Sequence, residues 1–538
     1  MRRVLRILTV TSTLLVASGV AAQPANPAVP APNPPSDNNN TTEPAHSVAP
    51  DHPQGAPESP TSVAPVAATP APLAPVGTSP VAPAAAPAPV TPPVAEAAKV
   101  NPEAPLETGP QPVKGKWNPV LYGFVEFDAV RDSTQSFNEP AGNGFIESPN
   151  AYKGKNSRTM FGVRNSRLGF KLAAPESNGI KTTGILEMDF VGNQPGNPNQ
   201  SGNPAAPTEN AFFTSPTFRV RHFAVKLENP YVDVLLGQYW QLFGWQSQFH
   251  PNTVQIQGIP GQVFSRSPQA RLSHMFKTAP VNLEVAVAAS RPPQRDSGVP
   301  DGQGGVRLLL NDWKGVHTMG STGTASDAAA IGFSGVMRKF KLPEYASTPV
   351  NAKTTSGWGV STDLLLPIIP GTLEDRGNSL TLTGSWVLGR GIADLFTGLG
   401  DGATTGGWPV PIPPGATTAN AYAPNIDSGL VEFGSTGNPH AIMWQSFLGG
   451  IQYYLPPSGK LWVSANYSHM KSNDITRFIS ATARPNVYTT AEWYDFNLFC
   501  DVTIAARLGV EYAHFKQTMG DDSTRKNDRV QFSGWLIF

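Results

Sequence analysis

The chain has 538 residues, more than one ordinary globular core needs, and its 39 Lys and Arg balance 39 Asp and Glu. Balanced charge without like-charge runs gives no long-range field for nucleic acid, so no nucleic-acid partner is expected. The single cysteine, Cys500, excludes an intramolecular disulfide and a cysteine-cluster metal site and reads as a small apolar strand residue.

Residues 1–22 carry Arg2, Arg3 and Arg6, then an apolar stretch from Ile7 to Val16, then Val20-Ala21-Ala22. An apolar core this short, ending in small residues two apart, predicts a cleavable secretory signal, because about 20 apolar residues are needed to span a bilayer. No cysteine follows it to accept a lipid, so a lipid anchor is not expected. Residues 23–115 then alternate Pro with Ala, Val and Ser, as in APLAPVGTSPVAPAAAPAPV, and hold close to half of the 55 prolines. This composition predicts a disordered, extended tether in the periplasm.

From residue 116 the texture changes to short alternating stretches separated by Gly, Pro, Asn, Ser and Thr. No later apolar run reaches the length of a spanning helix, so a membrane crossing would have to be a barrel. Strands are expected near 119–130, 160–173, 179–191, 217–228, 231–239, 268–276, 281–289, 303–311, 328–340, 356–368, 378–390, 441–455, 461–470, 490–500, 505–517 and 528–538. That is about sixteen, an even number, as single-chain bacterial barrels have. Tight turns such as 174–178, 229–230, 277–280 and 456–460 alternate with long loops, the pattern of a periplasmic and an extracellular rim. Residues 312–327 break the alternation: either a strand boundary there is wrong or the barrel carries an insertion.

Within these strands one face is apolar and the other carries acids. Leu121, Val125 and Phe127 oppose Tyr122, Phe124, Glu126 and Asp128; Leu186, Met188 and Phe190 oppose Glu187 and Asp189; Leu283, Val285 and Val287 oppose Glu284. The last stretch, VQFSGWLIF, aligns Val530, Phe532, Gly534, Leu536 and Phe538 on one face, an apolar edge that barrel closure would cover.

The segments NSRLGFK (165–171), FRVRHFAVKL (218–227), LLGQYWQLF (235–243), RSPQARL (266–272) and GNSLTLTGSWVLGRGI (377–392), in order and spacing, resemble the DcaP-type porins of Gram-negative bacteria. The resemblance covers Trp117 to Phe538. It implies an all-β fold, a transmembrane antiparallel barrel of about 16 strands, assembled as a homotrimer in outer-membrane lipid and passing small anionic solutes, typically dicarboxylates. The aromatic carboxy-terminus at Phe538 resembles the recognition end read by the barrel-insertion machinery. Two departures stand out: a Pro/Ala tract replaces the family's coiled-coil-forming start, and the loop at 393–440 is longer than expected.

Sixteen strands enclose an aqueous channel, so selectivity must come from a constriction and its charges. By position the third long loop, residues 240–269, is the expected constriction, with loop 393–440 the competing candidate. Arginine on a lipid-facing surface costs about 2–4 kcal/mol at the midplane, so strand cations should face the lumen. The pore-lining candidates are Arg164, Arg167, Lys171, Arg219, Arg221, Arg271 and Arg307. Alternation agrees for Arg167 and Lys171, puts Arg164 on the opposite face, and breaks between Arg221 and Phe223, which requires a bulge or rim crossing. Arginine's planar fork grips carboxylates with two hydrogen bonds, which favours anions; the same groups could instead brace the wall by pairing with Glu126, Asp128, Glu187 and Asp189.

No nucleophile elbow, zinc-binding helix or phosphate loop appears, so neither enzymatic activity nor a metal or other cofactor is expected. Two other readings stay open at this point: a closed barrel anchoring the outer membrane to the cell wall, and a phosphate-selective porin with a denser cation ladder.

Overall fold

A computed structural model describes residues 115–538 apart from 142–143, 193–215, 247, 256–258, 295–296, 347, 398, 400–425, 428, 435–436 and 480. The expected signal and tether, and much of the loop at 393–440, lie outside the described residues.

The strands in chain order are β1 (Asn118–Asp132), β2 (Arg158–Gly162), β3 (Arg167–Ala173), β4 (Lys181–Asp189), β5 (Arg219–Glu228), β6 (Asp233–Trp240), β7 (Arg266–Lys277), β8 (Val281–Ser290), β9 (Asp301–Met319) and β10 (Gly323–Pro343). They continue with β11 (Ala352–Ile369), β12 (Leu380–Arg390), β13 (Val431–Phe433), β14 (Pro439–Ala441), β15 (Met443–Tyr454), β16 (Leu461–Ser472), β17 (Tyr488–Asp501), β18 (Ala506–Met519) and β19 (Thr524–Ile537). Each pairs antiparallel with its neighbour, β13 and β14 forming a separate loop hairpin, and β19 returns to β1. Because β2 and β3 both pair with β1 and act as one interrupted strand, the closed barrel has sixteen strands.

Closure joins the two ends of the described chain. Gly123 N donates to Phe538 O (2.9 Å) and Phe538 N to Gly123 O (3.1 Å), which removes the open apolar edge. Gly123 has φ +152°, and a Cβ there would lie 2.2 Å from Arg167 O, so glycine lets β1 approach β3 on the side away from the seam.

The faces follow the alternation. Leu121, Val125, Phe127, Phe223, Val287, Val530, Phe532 and Leu536 are exposed on the outer surface, whereas Glu126, Asp128, Glu187 and Asp189 are buried inside. A soluble sandwich would reverse this arrangement; an apolar exterior around a polar interior is what lipid requires. Phe223→Arg, placing a guanidinium mid-strand on β5, is expected to cost about 2–4 kcal/mol, measured as a lower urea midpoint for refolding into lipid vesicles.

The irregular stretch at 312–327 is strand. β9 and β10 run on to a turn at 320–322, past the boundaries expected at 311 and 328. β8 follows β9 only to Leu310, and β11 follows β10 only from Ala330, with a register shift between Ala328 and Ala329. Beyond these points the hairpin leaves the wall.

At the long-loop end, the interior beneath β10 to β18 is filled by an apolar cluster in which Phe340, Ile392, Leu395, Leu430, Trp444 and Tyr488 are fully buried. Charged side chains are buried on both sides of the barrel, among them Glu126, Asp128, Glu187, Asp189 and Arg221 on one side and Arg338, Asp495, Arg507 and Glu511 on the other.

Candidate functional site

The third long loop crosses the lumen. After Trp240 the chain turns inward through a short 3-10 turn at Phe243–Trp245, where Phe243 N donates to Gln303 Oε1 (2.9 Å) and Gly244 N to Ser334 Oγ (2.8 Å). It then reaches the opposite wall, where Val254 N donates to Asn497 Oδ1 (2.9 Å), Gln255 N to Glu511 Oε2 (2.7 Å), and Asn466 Nδ2 to Asn252 O (2.8 Å). Polar wall residues thus satisfy the loop backbone as a partner strand would. On its return the loop pairs with 395–397, Phe264 N donating to Leu395 O (3.0 Å) and Thr397 N to Gln262 O (2.8 Å). Of the two long loops, the one at 240–269 therefore crosses the lumen, and the described start of the loop at 393–440 braces it.

The bracing has an ionic core. Arg338 on β10, fully buried, donates through Nε to Asp301 Oδ2 (3.1 Å), through Nη2 to Asp394 Oδ2 (2.8 Å) and through Nη1 to Gly391 O (2.8 Å).

The candidate cations form two groups, with Lys171 and Arg164 each apart from them. Arg219 and Arg221 converge on two carboxylates: Arg219 holds Asp189 through Nε (2.9 Å) and Nη2 (2.6 Å), and Arg221 reaches Glu187 (2.7 Å) and Asp189 (3.0 Å). Arg167 lies with its Nε 3.6 Å from Glu187 Oε1, an ion pair longer than a hydrogen bond, and over the Phe124 ring at 5.1 Å. The phase break in β5 is a bulge: His222 faces Glu187 and Val220 faces Met188, so the extra residue Arg221 turns inward beside His222.

Arg271 and Arg307 form the second group, along the same wall. Arg271 donates to Gln269 Oε1 (3.1 Å) and Trp240 O (2.5 Å); Arg307 holds Glu284 (Nε to Oε2, 3.0 Å) and lies over the Trp245 ring of the crossing loop at 5.1 Å. Lys171 stands apart near the short-turn rim, over the Tyr122 ring at 5.0 Å.

Arg164 requires a correction. Alternation puts it outside, but the strand is interrupted at 163–166 and Arg164 turns inward, buried, with Nη1 3.0 Å from Glu139 Oε2 of the first long loop. It pins that loop to the wall and does not line open lumen. Burial pushes the Glu139 carboxyl up to about 7, against the pull of the Arg164 guanidinium.

Arg266, like Arg338, is not among the cations that the sequence pattern singles out. It opens β7 and pairs in register with Trp240, where both strands leave for the crossing loop. Its guanidinium lies over the Trp240 ring at 5.0 Å and the Phe264 ring at 5.7 Å, and its Nη1 is buried without a hydrogen-bond partner. No carboxylate pairs with it among the described residues. Counted from Gln269 and Arg271, alternation places Arg266 on the opposite face; the inward turn of the loop carries it into the lumen. His250 meets the Trp240 ring edge-on at 5.0 Å, and burial, with Arg221 adding to it, pushes its imidazole down to about 3, so it is neutral there.

No protein-family model matches the chain, and no curated protein resembles it in sequence. Among solved structures, the outer-membrane channel DcaP of Acinetobacter baumannii matches with a TM-score of 0.53 at 16% identity, over 78% of this chain and 97% of that one. The barrel is built like the DcaP channel. An anion-selective porin of Comamonas acidovorans (TM-score 0.42, 11% identity, 79% of this chain and 100% of that one) and OprB of Pseudomonas putida (0.40, 10%, 78% and 94%) are more distant. The DcaP-like barrel thus places four cations, Arg167, Arg219, Arg221 and Arg266, around two carboxylates, Glu187 and Asp189, beside an aromatic group of Trp240, His250 and Phe264.

Proposed function

We propose that this protein is an outer-membrane porin through which small anions diffuse passively, with dicarboxylates the expected class. The observation that carries the reading is the cationic excess on the wall facing the crossing loop: four guanidiniums to two carboxylates, one of them, Arg266, with no carboxylate against it. Fixed cations in a confined, low-dielectric passage attract anions and repel cations, and an arginine fork suits a carboxylate. Arg164, Arg219, Arg221 and Arg307 also brace the wall, so much of the ladder's charge is neutralised in place and the net excess, not the count, sets the preference. A phosphate-selective porin would need more unpaired cations than this wall supplies.

The test is the reversal potential of the reconstituted protein in a salt gradient. Anion preference is expected, and Arg266→Gln is expected to weaken it without lowering the refolding midpoint, because no carboxylate loses its partner. Cation preference in the unsubstituted protein would overturn the anion assignment, and silent bilayers would favour the closed anchor.

The assembly proposed with this function is a homotrimer, as the family resemblance implies, inserted through the carboxy-terminal strand that β19 and Phe538 provide. The rim of short turns faces the periplasm in this reading, together with the tether that precedes β1. Native mass measurement in detergent tests the trimer.

A further inference from the structure

The hairpin formed by the ends of β9 and β10 is set inside the barrel. Residues 311–313 are looped out where the register shifts, so Lys314 faces Ala328 while Leu310 faces Ala329. From there the hairpin pairs only with itself. A wall hairpin that projected beyond the rim would expose its tip to water, yet Val316, His317 and Thr318 are 0% exposed and Ser321 is 2% exposed.

The contacts of the tip show where it goes. Thr381 Oγ1 of β12 donates to Val316 O (2.7 Å), and Gln452 of β15 bonds both backbone groups of Thr318, each at 2.9 Å. Arg507 of β18 donates to Ser321 O (2.6 Å) and Thr324 Oγ1 (3.1 Å), while Asp501 holds its Nε at 2.6 Å. The tip also meets the crossing loop: Gly320 N donates to Pro251 O (3.2 Å), and Asn252 Nδ2 to Gly320 O (2.5 Å). The hairpin therefore spans from β9 and β10 to β12, β15 and β18, on the short-turn side of the crossing loop.

We infer that this inward hairpin is a second constriction, in series with the crossing loop, and that Arg507 is the positioning residue that holds its tip across the passage. The inference rests on the porin reading only in what flows through the barrel. Its end is held by hydrogen bonds to polar wall groups, the kind that water replaces when a partner is removed, and by Val316, which packs in a buried cluster with Tyr454, Trp462 and Phe499. The crossing loop and the hairpin divide the work: the arginine wall beside the loop sets charge preference, and the hairpin sets the size of solute that passes the short-turn end.

Because Leu310 and Ala329 face each other in register, residues 311–328 can be replaced by a two-residue Asn-Gly turn that closes the shortened hairpin. Liposome swelling with neutral saccharides of increasing size reads the passage independently of charge. The shortened protein is expected to admit larger saccharides than the intact one, with single-channel conductance roughly doubled as one of two narrow segments in series is lost. Should the shortened barrel fail to refold, judged by heat-modifiable mobility, Arg507→Gln is the second variant. It keeps the hairpin, and Asp501 keeps Arg376 as a partner (2.7 Å), so it is expected to refold while raising the saccharide cut-off. Equal cut-offs in variant and intact protein, whether both conduct or both are silent, overturn the inference. Conduction by the intact protein tests the porin reading separately: an intact barrel that is silent and a shortened one that conducts would support the hairpin as a plug and count against an open resting pore.

Discussion

Replacing Arg167, Arg219 and Arg221 together by glutamine is expected to turn the pore from anion-preferring to cation-preferring. The three guanidiniums and Arg266 are grouped with Glu187 and Asp189, and these six side chains carry an excess of two positive charges. Removing three leaves Arg266 against two carboxylates, an excess of one negative charge. At an effective dielectric constant of about 20, a unit charge about 8 Å from a passing ion contributes about 2 kcal/mol before salt screening. With three such charges removed, and screening cutting each contribution several-fold, the permeability ratio should move by at least about tenfold, the factor that about 1.4 kcal/mol sets. The measurement is the reversal potential at low and high salt, and the shift should shrink as salt rises. A ratio that stays put would assign these arginines to bracing alone. Arg266→Gln serves as the internal comparison, since it removes one charge from the same wall without leaving a carboxylate uncovered.

Arg338→Met is expected to lower stability by about 3–5 kcal/mol, the usual cost of stripping one partner from a buried ion pair. Arg338, Asp301 and Asp394 are all nearly inaccessible, so no water replaces the lost guanidinium. The loss is read as a lower urea midpoint for refolding into vesicles. A functional trace should accompany it, because Asp394 and Gly391 belong to the segment that pairs with the crossing loop through Leu395 and Thr397. With that segment released, open-channel noise should rise. Replacing Arg338, Asp301 and Asp394 together by apolar residues is expected to recover much of the stability, since a well-packed apolar cluster often substitutes for a buried pair. Recovery of stability with persisting noise would separate the electrostatic contribution from the role of the segment as a brace.

Much of the barrel is legible in residue order because a strand's two faces alternate every residue. Glu126 and Asp128 opposite Leu121, Val125 and Phe127 already define an inside and an outside, and lipid around the barrel decides which is which. The same period shows that β5 cannot be regular between Arg221 and Phe223, and the bulge that turns Arg221 inward beside His222 is there. The third loop is legible as the crossing element from its position and its Trp and Phe content.

Alternation loses its authority where the chain leaves the wall. Arg164 faces inward because the strand breaks at 163–166, and Arg266 because it sits where β7 emerges from the crossing loop. The inward hairpin lies further beyond reach. Residues 312–327 read locally as an irregular gap, and nothing within them says that Thr318 meets Gln452, 134 residues on, or that Ser321 meets Arg507, 186 residues on. By itself, the order of residues determined strand, face and closure, because those depend on neighbours one or two positions apart and on the solvent each face meets. Which segments fold into the lumen was decided by hydrogen bonds between residues far apart in the chain, from Phe243 to Gln303, 60 positions on, to Gln255 to Glu511, 256 positions on, and those partners come within reach only as the sheet closes.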